Sequence, residues 1–463
     1  MMPGPSAAAI GARAMLSDCL AALDLPAQCA ERVDFIGEER LLSCFPVSEL
    51  AMATIGAACT AIAELLTRNG PAPPIRVDCR LASLWFGFSI RPQGWELPSP
   101  WDAIAGDYQA KDGWIKLHTN APHHRAAALG VLGAAPVREQ VAEAVGTWEG
   151  AALEAAIVAA GGCAAKLNTP DAWRVHPQGR ALAAEPLIHW DGLVSPTPPA
   201  WRPDSQRPLA GLNVLDLTRV LAGPVATRFL AGFGAQVLRI DPPDWDEPGV
   251  IPEVTLGKRC ARLDLRSEAD RQAFIRLLEQ ADILLHGYRT GALDRLGFSA
   301  QARQAIRPGL IDVSLNAYGH SGPLSDRRGF DSLVQFSTGI AAAGMAWRGS
   351  AQPVSLPVQA LDQASGYLLA AAAIRAMIAR LDGQGPLRAR LSLARTAKLL
   401  LDHQSQPSDG PFAAAHDGDY MDKMEQTAWG PALRLKPPAC LQSAPMAWAL
   451  AAAKLGSSPA RWE

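Results

Sequence analysis

The sequence carries no excess of charge: 43 Lys+Arg stand against 45 Asp+Glu in 463 residues, a formal net of −2, with no long run of either sign. Without such a run there is no electrostatic footprint for nucleic acid or a membrane surface, so small molecules are the expected partners. The apolar stretches around Ile55–Leu66 and Tyr367–Ile378 are short, or broken by Arg375. Both fall below the roughly 18 apolar residues that span a bilayer, so no transmembrane helix is expected. The opening MMPGPSAAAIGARAML lacks a charged start, a compact apolar block and a cleavage site, which argues against a signal peptide and for a cytoplasmic protein.

Cysteine is sparse and unpaired in pattern. Cys19, Cys29, Cys44, Cys59, Cys79, Cys163, Cys260 and Cys440 include no CxxC, so neither a disulfide framework nor a thiolate zinc site is indicated. The motifs GxGxxG, GxxxxGK[ST] and GxSxG are also missing, which argues against a nicotinamide fingerprint, a P-loop and a hydrolase nucleophile elbow. His118, His123 and His124 cluster in LHTNAPHH but lack carboxylate or thiolate company, so they read as solvated or loop-capping side chains and no metal is expected.

What is present is a large globular chain, 49% hydrophobic and 19% charged, too long for one small module. From Pro208 onward strands and helices alternate. LNVLDL (212–217), AQVLRI (235–240), Ala261–Leu265, ADILLH (281–286) and GLIDVSL (309–315) read as strands, with helices over Val225–Phe233, Ser267–Gln280 and Ser299–Ile306 between them. That order predicts an α/β fold, a doubly wound parallel sheet of Rossmann-like type. Helices follow over Asp331–Ala343 and Leu361–Arg380, then a returning strand RARLSL (388–393). Upstream, KDGWIKLHT (111–119) reads as a strand and Glu139–Ala160 and Asp171–Arg174 as helices, the pattern of a second, smaller α+β domain. The expected organisation is a helical and strand segment over 1–100, the α+β domain over 101–195, a Pro-rich linker over 196–207, the sheet domain over 208–400 and an unassigned segment over 401–463.

An internal repeat is visible. Residues 45–84 and 356–396 each run through Pro-Val, an acid, an Ala-rich helix, a Gly-Pro turn and a strand, which pairs Glu49 with Asp362. On residue pattern alone Asp362 and Asp331, each at the head of a helix, read first as capping carboxylates and only second as a site.

The runs PLAGLNVLDLTRVLAGPVATRFLAGFGAQVLRIDPP, ADILLHGYRTGALDRLGF, RPGLIDVSLNAYGHSGPLSDRRGFDSLVQFSTG and PVQALDQASGYLLAAAA together resemble the family III CoA-transferases, relatives of the α-methylacyl-CoA racemases. The resemblance covers about 208–396. The stretch from about 45 to 195, with DGWIKLH and AAGGCAAKLNTPDAW, resembles the family's later half, so the chain looks like a permuted fusion.

The resemblance implies that Asp362 falls on the acylated aspartate and that Asp331, in the GFD triplet, supports it. It implies coenzyme A as co-substrate, with acyl-CoA and carboxylic acid substrates, bound through Val220, Leu221, Arg266, Gly287, Tyr288, Arg295 and Arg328. His286-Gly287 replaces the family's usual Glu-Asn. A homodimer is implied as well. In the racemases a second base precedes the acid, because shifting a proton between two faces of a carbon needs two bases. Here that residue is Phe330, so the expected activity is CoA transfer, with an isomerase or a non-catalytic CoA-binding scaffold as the alternatives. Glu49 is expected to be a helix cap or solvated carboxylate and not a second site.

Overall fold

The computed structural model describes residues 6–191, 198–403 and 410–463. Its centre is a seven-stranded sheet in the order 258–262, 236–241, 213–217, 283–286, 311–316, 388–392, 189–191. The first six strands are parallel. Asn213–Leu217 shows why: four of its five residues are buried, the apolar run of a strand covered on both faces. Counted along the segment the six strands run 3-2-1-4-5-6, so the winding reverses between 213–217 and 283–286, where doubly wound sheets open a ligand crevice.

The sheet's far edge departs from the expected domain plan. His189–Asp191, from the segment expected to close a separate α+β domain, lies antiparallel on Arg388–Ser392. The rest of that segment forms its own small sheet, Gly106–Ala110, Gly113–Leu117 and Ala164–Lys166, with its own core. Two predicted helices are also split. Glu139–Ala160 becomes Arg138–Val145 and Gly150–Ala159, and Asp331–Ala343 becomes Asp331–Ser337 and Ile340–Arg348, broken at Gly339 with φ +86°. A side chain there would collide with the backbone of Thr169 and Pro170. Of the linker, 196–197 lie outside the described residues. The remainder is tied down, Trp201 donating to Ala210 O at 2.8 Å and Asn69 to Pro203 O at 2.8 Å.

The first hundred residues share one continuous core with the sheet segment. Val47–Leu66 packs along Ala360–Leu381, which packs in turn on Ala222–Gly232. Small side chains permit this: a Cβ on Gly366 would stand 2.6 Å from Ala222 O, so the helices approach closely. Both long helices exceed the apolar runs read from sequence and are long and apolar enough to cross a bilayer, yet each is mostly buried within the protein.

The repeat is written in the backbone. Pro46 (φ −76°, ψ 65°) and Gln359 (φ −75°, ψ 65°) hold the same conformation just before their helices. Each is the centre of an inverse γ-turn closed by Val47 N to Phe45 O and Ala360 N to Val358 O, both 2.8 Å. Glu49 and Asp362 then occupy the third position of their helices. After each helix come a strand and a capped short helix, Asp78 accepting from Leu81 N and Ser392 from Arg395 N.

The final segment, unassigned from sequence, is woven into the first. Ala439–Leu441 pairs with Ile75–Asp78, and Gly430–Arg434 pairs with Ile90–Pro92. Arg434 is wholly buried and meets Glu253 at 3.0 Å, which also bonds Arg228, Ser89 N and Oγ, and Ile90 N. Trp448 stacks on Trp85 at 5.5 Å.

Candidate active site

Asp331 opens the helix Asp331–Ser337 and faces the start of Ala360–Leu381. Its Oδ2 accepts the N–H groups of Leu361 at 2.8 Å and Asp362 at 3.0 Å. These are the second and third residues of the long helix, whose donors are normally satisfied by the residue before the helix. Gln359, in that place, makes no such bond, so Asp331 caps the helix from another element. Gln335 fixes the cap by donating to Asp331 Oδ1 while its Oε1 accepts from Leu356 N at 2.8 Å.

Asp362 is therefore not a capping residue. Its carboxylate accepts no hydrogen bond among the described residues, although the side chain is nearly enclosed. Burial and then the neighbouring Asp331 raise its pKa well above the ordinary carboxylate range. Burial likewise lifts Asp331, to about 6, against the hydrogen bonds that favour its charged form. The two titrate as a pair.

Asp362 stands where two cavities meet, and Val220, Leu221, Trp245 and Phe330 line both. One, of about 400 Å³, opens at the ends of strands 213–217 and 283–286, the crevice the winding order predicts. Its walls hold Arg219, Arg289 and Arg328 beside Gly287 and Tyr288. Arg219 lies over Trp245 at 4.6 Å and over Tyr288 at 5.3 Å. The pKa of Arg289 is lowered by burial and then by the charges of Arg328 and Arg295. Clustered cations beside the N-terminus of Ala222–Gly232 are the kind of arrangement that suits phosphate groups.

The loop leading into that helix is strained. Val220 sits at φ +61°, an unfavourable region for a β-branched residue. Its N–H donates to Glu247 Oε2 at 2.9 Å, and Glu247 is held by buried Arg239. Thr218, two residues earlier, donates its N–H to Asp216 at 2.9 Å, and Asp216 is paired with Lys258 at 3.1 Å. The second cavity, of about 440 Å³, is walled partly by Phe86 and Phe88 of the first segment and by Trp101 and His118 of the 101–195 region.

The structure thus brings together Asp362, Asp331, Val220, Leu221, Gly287, Tyr288 and Arg328. It does not bring Arg266, which is exposed and paired with Asp264 at 2.7 Å. Arg295 lines neither cavity, although its charge bears on Arg289. Sequence reasoning passed over Arg219 and Arg289, although each is adjacent in the chain to a residue it named. His118 and His124, read as solvated or loop-capping side chains, are buried. His118 stacks on Phe330 at 3.8 Å and His124 meets Arg328 at 3.0 Å; burial pushes both imidazoles down to about 3. Glu49 is neither a cap nor solvated: it is 1% exposed and paired with Arg40 at 3.0 Å. His286 is paired with Asp312 at 3.2 Å beneath the sheet end.

Residues 209–422 match the family model of CoA-transferase family III. An acyl-CoA transferase of Gibberella moniliformis is 30% identical over 280 residues, covering 56% of this chain and 49% of that protein. Acetyl-CoA:oxalate CoA-transferase of Acetobacter aceti is 36% identical over 148 residues, 29% of this chain and 38% of that one. The α subunit of succinyl-CoA–L-malate CoA-transferase of Chloroflexus aurantiacus is 32% identical over 170 residues, 32% of this chain and 40% of that one. A solved CaiB/BaiF family structure from Brucella suis is 25% identical, with a TM-score of 0.36, over 49% of this chain and 65% of that chain. The chain spans about half or less of the length of these curated relatives. The family III match runs through residue 422, past the end at about 396 inferred from sequence.

Proposed function

We propose that the protein is an acyl-CoA:carboxylate CoA-transferase working through Asp362. The observation that carries this reading is the unengaged Asp362 carboxylate between an arginine-lined cavity and a second, aromatic one. CoA occupies the first, its phosphates against Arg219, Arg289 and Arg328, and the acyl group reaches past Asp362 into the second. The carboxylate attacks the thioester carbonyl, giving an acyl–aspartyl anhydride and CoA thiolate. The thiolate attacks the aspartyl carbonyl, the donor acid leaves as its carboxylate, and Asp362 becomes a CoA thioester. An acceptor carboxylate attacks that thioester, and the released thiolate takes the acceptor's acyl group, which returns Asp362 to a carboxylate.

The raised pKa of Asp362 suits this chemistry. A more basic carboxylate is a stronger nucleophile, and its affinity for the acyl group lies closer to that of a thiolate, whose conjugate acid has a pKa of about 8.5. Proton abstraction is less well served, since Phe330 precedes Asp331 and the adjacent imidazoles of His118 and His124 are weak bases. The test is exchange of isotope label between a carboxylic acid and its own CoA thioester. Wild type should catalyse it and Asp362→Asn should not; undiminished exchange in the variant contradicts the reading.

A further inference from the structure

We infer that the second cavity takes a bulky, uncharged acyl group, aromatic or branched, and turns away acyl groups that bear a further carboxylate. The inference rests on the CoA-transfer reading and adds the substrate class.

The walls are aromatic: Phe86, Phe88, Trp101, Trp245 and Phe330 all face the cavity of about 440 Å³. Trp101 stays 43% exposed at the rim, apolar surface that a bound acyl group would cover. Among the described residues that line this cavity there is no Lys or Arg. Its ionisable side chains beyond the catalytic pair and His118 are the carboxylates Asp102, Asp246 and Glu247. The cations serving two of them, Arg125 on Asp102 and Arg239 on Glu247, do not line the cavity. His118 cannot supply charge, since burial holds its imidazole near a pKa of about 3.

The remaining polar groups are neutral. His118 Nδ1, Ser332 Oγ and Gln363 Oε1 are buried without a partner on residues that line the cavity. Such groups accept or donate to uncharged substituents but give no counter-charge. A second carboxylate would enter an aromatic, low-dielectric space without a cation and beside Asp246 and Asp331. The cluster of Arg219, Arg289 and Arg328 lines the other cavity.

Calorimetry on Asp362→Asn, which binds without turnover, separates the cases using free CoA, phenylacetyl-CoA and succinyl-CoA. Phenylacetyl-CoA should bind at least tenfold tighter than CoA, and succinyl-CoA no tighter than CoA. Equal binding of all three, or tighter binding of succinyl-CoA, overturns the inference. Phe88→Arg adds the missing cation and should shift the preference at least tenfold toward succinyl-CoA; an unmoved preference overturns the charge argument. Wild-type label exchange provides the independent readout. Absent exchange with both acyl groups sinks the transfer reading, while the calorimetric order still decides the acyl class. Exchange that favours succinyl-CoA leaves transfer standing and overturns the class.

Discussion

Asp331 accepts the backbone N–H of Asp362 at 3.0 Å and leaves the Asp362 carboxylate unengaged. One acid thus builds the helix start on which the other is presented, and the pair sets its own protonation. Asp331→Ala leaves two first-turn N–H groups without their acceptor and should destabilise the fold by about 1–3 kcal/mol, read by denaturant melts. Asp331→Asn keeps an acceptor oxygen and should retain most of that stability.

The pH dependence follows from the same pair. Turnover needs Asp362 ionised, and burial with Asp331 raises its pKa. The acid limb of kcat/KM should therefore lie well above pH 4, the ordinary carboxylate value. Asp331→Asn removes one source of the shift and should move the limb to lower pH. A profile flat down to pH 4 in wild type contradicts this.

Stability carries the opposite sign. A carboxyl whose folded pKa is raised binds more protons folded than unfolded, so its contribution is lost as pH rises through the folded pKa. Asp362→Asn removes that loss. Its Tm should exceed that of wild type, by a margin that widens from pH 4 toward pH 8; a margin that shrinks over that range contradicts the assignment.

The arginine cluster divides the cations into two classes. Arg219→Ala, Arg289→Ala and Arg328→Ala should each raise KM for the CoA thioester by about tenfold or more with a smaller effect on kcat, because contacts remote from the reacting carbonyl bind ground and transition states alike. Arg266→Ala should leave KM within about twofold. A raised KM for Arg266→Ala would return that residue to the site.

Much of this was legible in the sequence. The alternation from LNVLDL to GLIDVSL gave the parallel sheet, because strands buried on both faces are apolar throughout, and the resemblance placed Asp362 and Asp331. The rest depends on contacts distant in the chain. His118 reads as a loop histidine until Phe330, more than 200 positions away, stacks on it. Glu49 reads as a cap until Arg40 folds back on it. The last segment has no periodicity because its short strands exist only as additions to Ile75–Asp78 and Ile90–Pro92. Arg266 resembles a ligand in sequence, but Asp264 two positions earlier engages it.

Glu49 tests the one-site claim. Weakening its half-buried pair with Arg40 by Glu49→Gln should destabilise the protein by about 1–3 kcal/mol, yet leave kcat per folded molecule within about threefold. Loss of half the covalent adduct per folded molecule would point to a second site.

The most direct measurement is intact and peptide mass spectrometry of the protein quenched during turnover with an acyl-CoA. The account predicts one acyl or CoA adduct per chain, on the peptide that contains Asp362, absent from Asp362→Asn and unchanged in Glu49→Gln. Two adducts per chain, or an adduct that persists in Asp362→Asn, contradicts it.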